Sequence, residues 1–119
     1  MIKITIVTCI FNAEHVLQRT LDSVLHQSFT DVEHLIIDGL SHDHSVEMAQ
    51  AYKQHSDEAE TGHDIFICSE RDKGLYDAMN KGIAKATGDY IVFLNAGDTF
   101  PSEATLEHIA HSIGDGEAL

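Results

Sequence analysis

The stretch DYIVFLNAGD, residues 89–98, decides the fold. Tyr90, Ile91, Val92, Phe93 and Leu94 form an apolar run with no polar alternation, so residues 90–95 read as a strand buried on both faces. That is the habit of a parallel sheet wrapped by helices. In such sheets ligands gather outside the carboxyl ends of the strands. Asn95, Gly97 and Asp98 stand at that edge, and a carboxylate there suits a divalent cation better than it suits packing.

Working outward, the rest of the chain alternates apolar runs with helical patterns. Residues 2–11 read as a first strand carrying Ile4, Ile6, Val7 and Ile10. Asn12 is placed to cap a helix whose face is Leu17, Leu21, Val24 and Leu25. Residues 34–38 predict a second strand, and 41–52 a helix with Val46, Ala49 and Tyr52 on one side. Residues 54–62 are polar and acidic and read as a loop. Residues 63–68 predict a third strand. Residues 73–86 predict a third helix facing the core through Leu75, Met79, Ile83 and Ala86, with Gly88 as its stop. Pro101 opens a last helix through Leu106, Ile109 and Ile113.

Strict alternation implies βαβ units with right-handed crossovers. The expected fold is therefore α/β, a mainly parallel sheet of about four strands flanked by helices. Parallel strands place their carboxyl ends on one edge. Residues 8–12, 38–41, 69–73 and 95–98 then converge, and each turns polar where its apolar run stops. Four such coincidences predict a ligand cleft.

Composition narrows the classes. At 119 residues the chain is one domain. Twenty acidic against 7 basic residues give a formal charge of -13, which repels nucleic acid. Arg71, Lys73, Lys81 and Lys85 concentrate the positive charge, as an acidic protein with an anionic ligand requires. No apolar run nears the ~20 residues that span a bilayer, and residues 1–11 read as a first strand, not a signal peptide. A cytoplasmic setting is expected, with peripheral attachment to the inner membrane surface left open. Cys9 and Cys68 lie in apolar runs without a C-x-x-C and read as free thiols. The nine histidines lack a zinc-binding spacing.

Several chemistries are set aside by absent motifs. There is no G-x-G-x-x-G, no G-x-x-x-x-G-K-[ST] and no G-x-S-x-G. A phosphate would be held by side chains and a cation. Mg²⁺ or Mn²⁺, bound by one or two carboxylates plus substrate phosphates, fits Asn95 and Asp98, with Arg71 or Lys73 assisting. The competing reading of 95–98 is a plain turn. Asp38 reads either as an acceptor for a base or ribose or as an Asx-turn residue. Asp43 reads as a helix cap, and Asp77, Lys81 and Lys85 as a solvated ion-paired face.

Three blocks, ITIVTCIFNAE, LIIDGLSHDHS and SERDKGLYDAMNKGIAKATGDYIVFLNAGD, resemble the amino-terminal half of a family 2 glycosyltransferase of the GT-A type. The resemblance spans residues 2 to about 100 in order. It implies a Rossmann-like half that binds a nucleotide-sugar, most simply a UDP-sugar, with Mg²⁺ or Mn²⁺. It further implies inverting transfer to a hydroxyl of a saccharide or lipid-linked acceptor in surface polysaccharide assembly. Carried across, Asp98 is the metal ligand, with Asn95 in the same D-x-D-like segment. Cys9 and Phe11 fall at the base, and Asp38 at the base and ribose. Residues 70–73, including Arg71 and Lys73, fall near the nucleotide.

There are departures from that pattern. Asn95 replaces an acid, Gly39 replaces the second acid of D-D-G-S, and Leu40 and His44 replace glycines. A direct displacement needs a carboxylate base. Glu103, Glu107, Asp115 and Glu117 are poorly placed for it, so the base is expected beyond Leu119. Residues 1–119 then read as one nucleotide-sugar-binding domain of a longer enzyme. Rival readings are a non-catalytic or self-associating module, with a homodimer formed through uncovered surface, and a phosphatase-like hydrolase using Asp38.

Overall fold

The computed structural model describes residues 2–114. In chain order the elements are β1 (Ile4–Ile10), α1 (Leu17–Leu25), β2 (Val32–Asp38), α2 (Ser45–Glu58), β3 (Asp64–Ser69), α3 (Leu75–Lys85), β4 (Tyr90–Phe93) and α4 (Thr105–Gly114). The sheet is four-stranded, in the order β3-β2-β1-β4, and every pairing is parallel. The register sets Ile10 beside Asp38 and Asp38 beside Ser69, so three strands end at one level.

Side-chain alternation sorts the core into two layers. Ile4, Ile6 and Ile10 of β1 and Val32 and Ile36 of β2 pack against Leu17, Leu21 and Val24 of α1, Ala49 and Tyr52 of α2, and Leu106 of α4. Val7, Leu35 and Ile37 point the other way, onto Ala78 of α3. Two buried polar groups brace the sheet. His34 bridges Thr8 Oγ1 (2.8 Å) and Tyr52 Oη (2.7 Å) through its two ring nitrogens. Glu33 accepts from Thr5 Oγ1 and from the Thr87 N–H and Oγ1.

Several local expectations are corrected. The sheet's interior strands are β1 and β2; β4 is an edge, with Tyr90 and Phe93 more than a third exposed. α3 meets the sheet through the small residues Ala78 and Gly82, while Leu75 and Ile83 are about half exposed. Asn12 caps nothing: it sits at φ +49 before α1, which begins only at Leu17. α2 runs on to Glu58, through much of the expected loop. α4 starts at Thr105, after a turn that follows Pro101. Asp43 does lead into α2, its Oδ1 accepting the Ser45 N–H at 2.9 Å. Among the expected carboxylates, Asp115 and Glu117 lie outside the described residues.

Candidate functional site

The β1–α1 and β2–α2 loops are laced together at the carboxyl edge. Asn12 donates its N–H to Ser41 Oγ (2.9 Å), and its Oδ1 accepts the His42 N–H (2.8 Å). Ala13 N–H reaches Ser45 Oγ, and Glu14 N–H reaches Asp43 Oδ2. His44 Nδ1 closes the ladder on Glu14 Oε2 at 2.9 Å. That bond holds the Glu14 carboxyl below the usual glutamate value and raises the His44 imidazole. Asn12 and Leu40 (φ +64) take the left-handed backbone that these tight returns demand.

Beneath the ladder lies Asp38, fully buried. Its Oδ1 accepts from Ser41 Oγ (2.5 Å) and its Oδ2 from the Ser41 N–H (3.1 Å) and Ser69 Oγ (2.7 Å). The carboxylate thus ties β2 to β3, and its Asx-turn is real. Both oxygens are occupied by protein donors, so Asp38 shapes the floor of the edge from below.

Above it opens a cleft of about 550 Å³, whose lining includes Cys9, Phe11, Leu40, Arg71, Asp72 and Leu75. Gly39, His42, Gly74 and Ala78 complete much of the remainder. Phe11, Leu40 and Leu75 are 59%, 45% and 52% exposed, so three large apolar side chains that water would otherwise disfavour converge on one opening. Phe11 meets His42 edge to face, with ring centroids 6.3 Å apart. Cys9 lies half-buried at the floor; burial, and then the nearby Asp72 charge, pushes its thiol up to about 11.

Of the residues the sequence singles out, Cys9, Phe11 and Arg71 line this cleft. Lys73 stands between the lining residues Asp72 and Gly74, exposed, with its N–H on Asp77 Oδ2. Lys81 supports the segment by donating to the Arg71 carbonyl at 2.7 Å. Asn95 and Asp98 are not in the lining. They follow β4 on the far side of β1, in an exposed turn closed by Asp98 N–H to Asn95 O (3.0 Å). Gly97, at φ +100, anchors that turn through its N–H to Thr20 Oγ1.

Asp72 and Leu40 lie within the segments 69–73 and 38–41 expected at the cleft but carry no individual role there, while His42 and Leu75 fall outside the expected segments. Sequence reasoning also passed over Arg19, whose Nη2 would lie 3.4 Å from a Cβ at Gly97. Leu40 was legible only as a departure from a glycine-rich pattern, nothing in the sequence marked His42, and nothing separates Asp72 from its charged neighbours.

No group of three His, Cys, Asp or Glu among the described residues could by itself hold a metal ion. The Asp98 carboxylate is exposed and has no partner among the described residues. It fits a hard cation that takes one carboxylate and completes its shell with water and phosphate, and does not fit one that needs a protein cage.

The family model for glycosyl transferase family 2 matches residues 5–119. A PGL/p-HBAD biosynthesis glycosyltransferase of Mycobacterium bovis is 35% identical over 106 residues, covering 89% of this chain and 40% of that protein. The cholesterol galactosyltransferase of Borreliella burgdorferi is 29% identical over 100 residues, 84% of this chain and 26% of that one. The chain therefore spans well under half the length of these relatives. The fold is likewise that of S. aureus TarS 1-349 in complex with UDP-GlcNAc (TM-score 0.79, 20% identity, 95% of this chain and 31% of that chain). It also matches the mannosyltransferase PcManGT from Pyrobaculum calidifontis in complex with GDP-Man and Mn²⁺ (TM-score 0.77, 18% identity, 94% and 31%). No described helix is long and apolar enough to cross a membrane. With the family match running through every strand from Thr5 onward, this chain belongs to glycosyl transferase family 2.

Proposed function

We propose that residues 1–119 form the donor-binding part of an inverting, metal-dependent glycosyltransferase. The donor is a UDP-sugar, and the acceptor a hydroxyl of a saccharide or lipid-linked saccharide in surface polysaccharide assembly. The observation that carries this reading is the cleft at the shared end of β1, β2 and β3, with apolar lips and Arg71 in its wall. A nucleotide has the matching parts, a planar base and an anionic tail. Phe11 offers the base a ring face beside the Cys9 floor, and Asp38 keeps the floor in register through Ser41 and Ser69. Arg71 and Lys73 offset the charge of the diphosphate.

Asp98, with Asn95 beside it, would hold Mg²⁺ or Mn²⁺, and the cation would supply charge neutralisation of a departing diphosphate. The carboxylate base that takes the acceptor proton comes from beyond Leu119. Relatives of this fold that carry UDP-GlcNAc, or GDP-Man with Mn²⁺, support the donor class.

The test is calorimetric titration of the chain with UDP and other nucleoside diphosphates, with and without Mn²⁺. Binding that requires the metal and is lost in Asp98→Ala is expected. Equal affinity without metal, or undiminished binding by Asp98→Ala, overturns the metal assignment.

A second reading is favoured by one observation. Phe66 on β3 and Tyr90 and Phe93 on β4 leave apolar side chains at both open edges of the sheet. A self-associating module would elute as a dimer and ignore nucleotides.

A further inference from the structure

Gly39 and Asp72 follow different strands, β2 and β3, yet they share one volume. A Cβ at Gly39 would fall 2.6 Å from Asp72 Oδ2 and 3.2 Å from its Cγ. The carboxylate therefore fills the space that a side chain at position 39 would need. Asp72 Oδ1 accepts the Gly74 N–H at 3.0 Å, which holds the carboxylate in this orientation. Its Oδ2 has no donor among the described residues, in contrast to both oxygens of Asp38. Both Gly39 and Asp72 line the cleft beside Cys9 and Phe11.

A carboxylate oxygen without a protein donor is a poor neighbour for a phosphate and a good one for a base N–H. An ionised carboxylate can only accept hydrogen bonds. We propose that Asp72, folded over Gly39, is the acceptor by which the cleft selects its base. This inference rests on the nucleotide-binding reading above and names the residue that sets its specificity. Asp72 Oδ2 takes a hydrogen bond from a ring N–H, which uracil and guanine carry. Cytosine and adenine present a lone pair at the equivalent ring nitrogen and meet the carboxylate with repulsion. Gly39 is required because any side chain there displaces the carboxylate.

The experiment is calorimetric titration of the chain and of its Asp72→Asn and Gly39→Ala variants with UDP, CDP, GDP and ADP in Mn²⁺. The unchanged chain is expected to prefer UDP over CDP by at least about tenfold, the worth of one hydrogen bond to a charged acceptor. Asp72→Asn can present an N–H to cytosine, so its UDP:CDP ratio should fall to within about threefold while both nucleotides still bind. Gly39→Ala keeps the charge but moves it, and should narrow the ratio too. Thermal unfolding of both variants separates loss of selectivity from loss of fold.

An unchanged ratio in a folded Asp72→Asn or Gly39→Ala variant overturns the assignment. So does equal binding of UDP and CDP by the unchanged chain, which leaves the nucleotide-binding reading intact. Failure of the unchanged chain to bind any of the four removes both that reading and this one.

Discussion

Gly82 of α3 lies so close over Val7 of β1 that a Cβ built on it would fall 2.5 Å from Val7 Cγ1. The helix therefore rests on the sheet through its smallest residues. Gly82→Ala forces an overlap worth about 1–3 kcal/mol, against which alanine returns roughly 1 kcal/mol of helix propensity. A net loss on the order of 1 kcal/mol is expected, seen as a lower urea midpoint. In a Val7→Ala background only the 3.3 Å approach to the Cβ at position 7 remains, and the same glycine substitution should cost clearly less or nothing. Simple additivity of the two losses would reject the contact as the cause.

Glu33 is a buried carboxylate whose burial alone would raise it. Hydrogen bonds from Thr87 and Thr5, with Lys3 Nζ at 3.7 Å, outweigh that and hold its carboxyl below the usual glutamate value. A depressed folded value means that its contribution is full above the unfolded value and disappears as the pH falls through the folded one. Glu33→Gln replaces an acceptor with an amide N–H that faces donors, and should cost about 1–3 kcal/mol at neutral pH. The difference between the two proteins should shrink below pH 4. A gap that persists there points to packing instead of charge.

His34 titrates in the opposite sense. Burial, and then the nearby His63, pushes its imidazole down to about 3. An unfolded histidine titrates near 6.5. Between those values the unfolded chain holds a proton that the folded chain refuses, so stability is full above about pH 6.5 and declines on acidification, by at most ~1.4 kcal/mol per unit. His63, also lowered by burial, adds to the decline. His44, raised by Glu14, opposes it: its contribution is present in acid and fades as pH rises. His44 is exposed, so that contribution is screened by solvent. Urea midpoints should fall between pH 7 and 5, and His34→Gln should flatten the slope. A slope unchanged by that substitution would assign the decline to other groups.

Cys9 offers a chemical probe of the cleft. With its thiol pushed up to about 11, against an ordinary value of 9.0, its thiolate fraction at pH 8 is roughly a hundredfold lower than that of an unperturbed thiol. In a Cys68→Ser background, alkylation by iodoacetamide should be slower than for glutathione by a similar factor. Saturating UDP with Mn²⁺ should slow it further. Ordinary reactivity would place the thiol in water.

What the sequence disclosed and what it hid follow from what periodicity measures. β1 and β2 were legible because Ile4, Ile6 and Val7, and the run 35–37, put apolar side chains on both faces, and both strands are in fact interior. The same signature misplaced β4, since Tyr90 and Phe93 are equally apolar whether a neighbour covers them or not. The face of α3 was misread because periodicity weighs hydrophobicity: Leu75, Met79 and Ile83 outscored Ala78 and Gly82, whose value is that they are small. Asn12 looked like a cap because its side chain does accept a backbone N–H, but that N–H belongs to His42 in another loop. At the candidate site, strand order alone brings the segments carrying Cys9, Phe11 and Arg71 to one edge, whereas the roles of Cys9 and Phe11 come from the family resemblance. Asp72 was not singled out, because only the backbone path of two separate loops brings it over Gly39.

The lacing between the first two loops has one more consequence. Asn12, Ala13 and Glu14 bind across to Ser41, His42, Asp43, His44 and Ser45, so two sides of the opening form a single rigid frame. The third side, running from Arg71 to Leu75, is fastened mainly within its own segment and to α3, by Gly74 to Asp72, Lys73 to Asp77 and Lys81 to Arg71. The side of the opening at the start of α3 is therefore the one not cross-linked to the other two by those bonds.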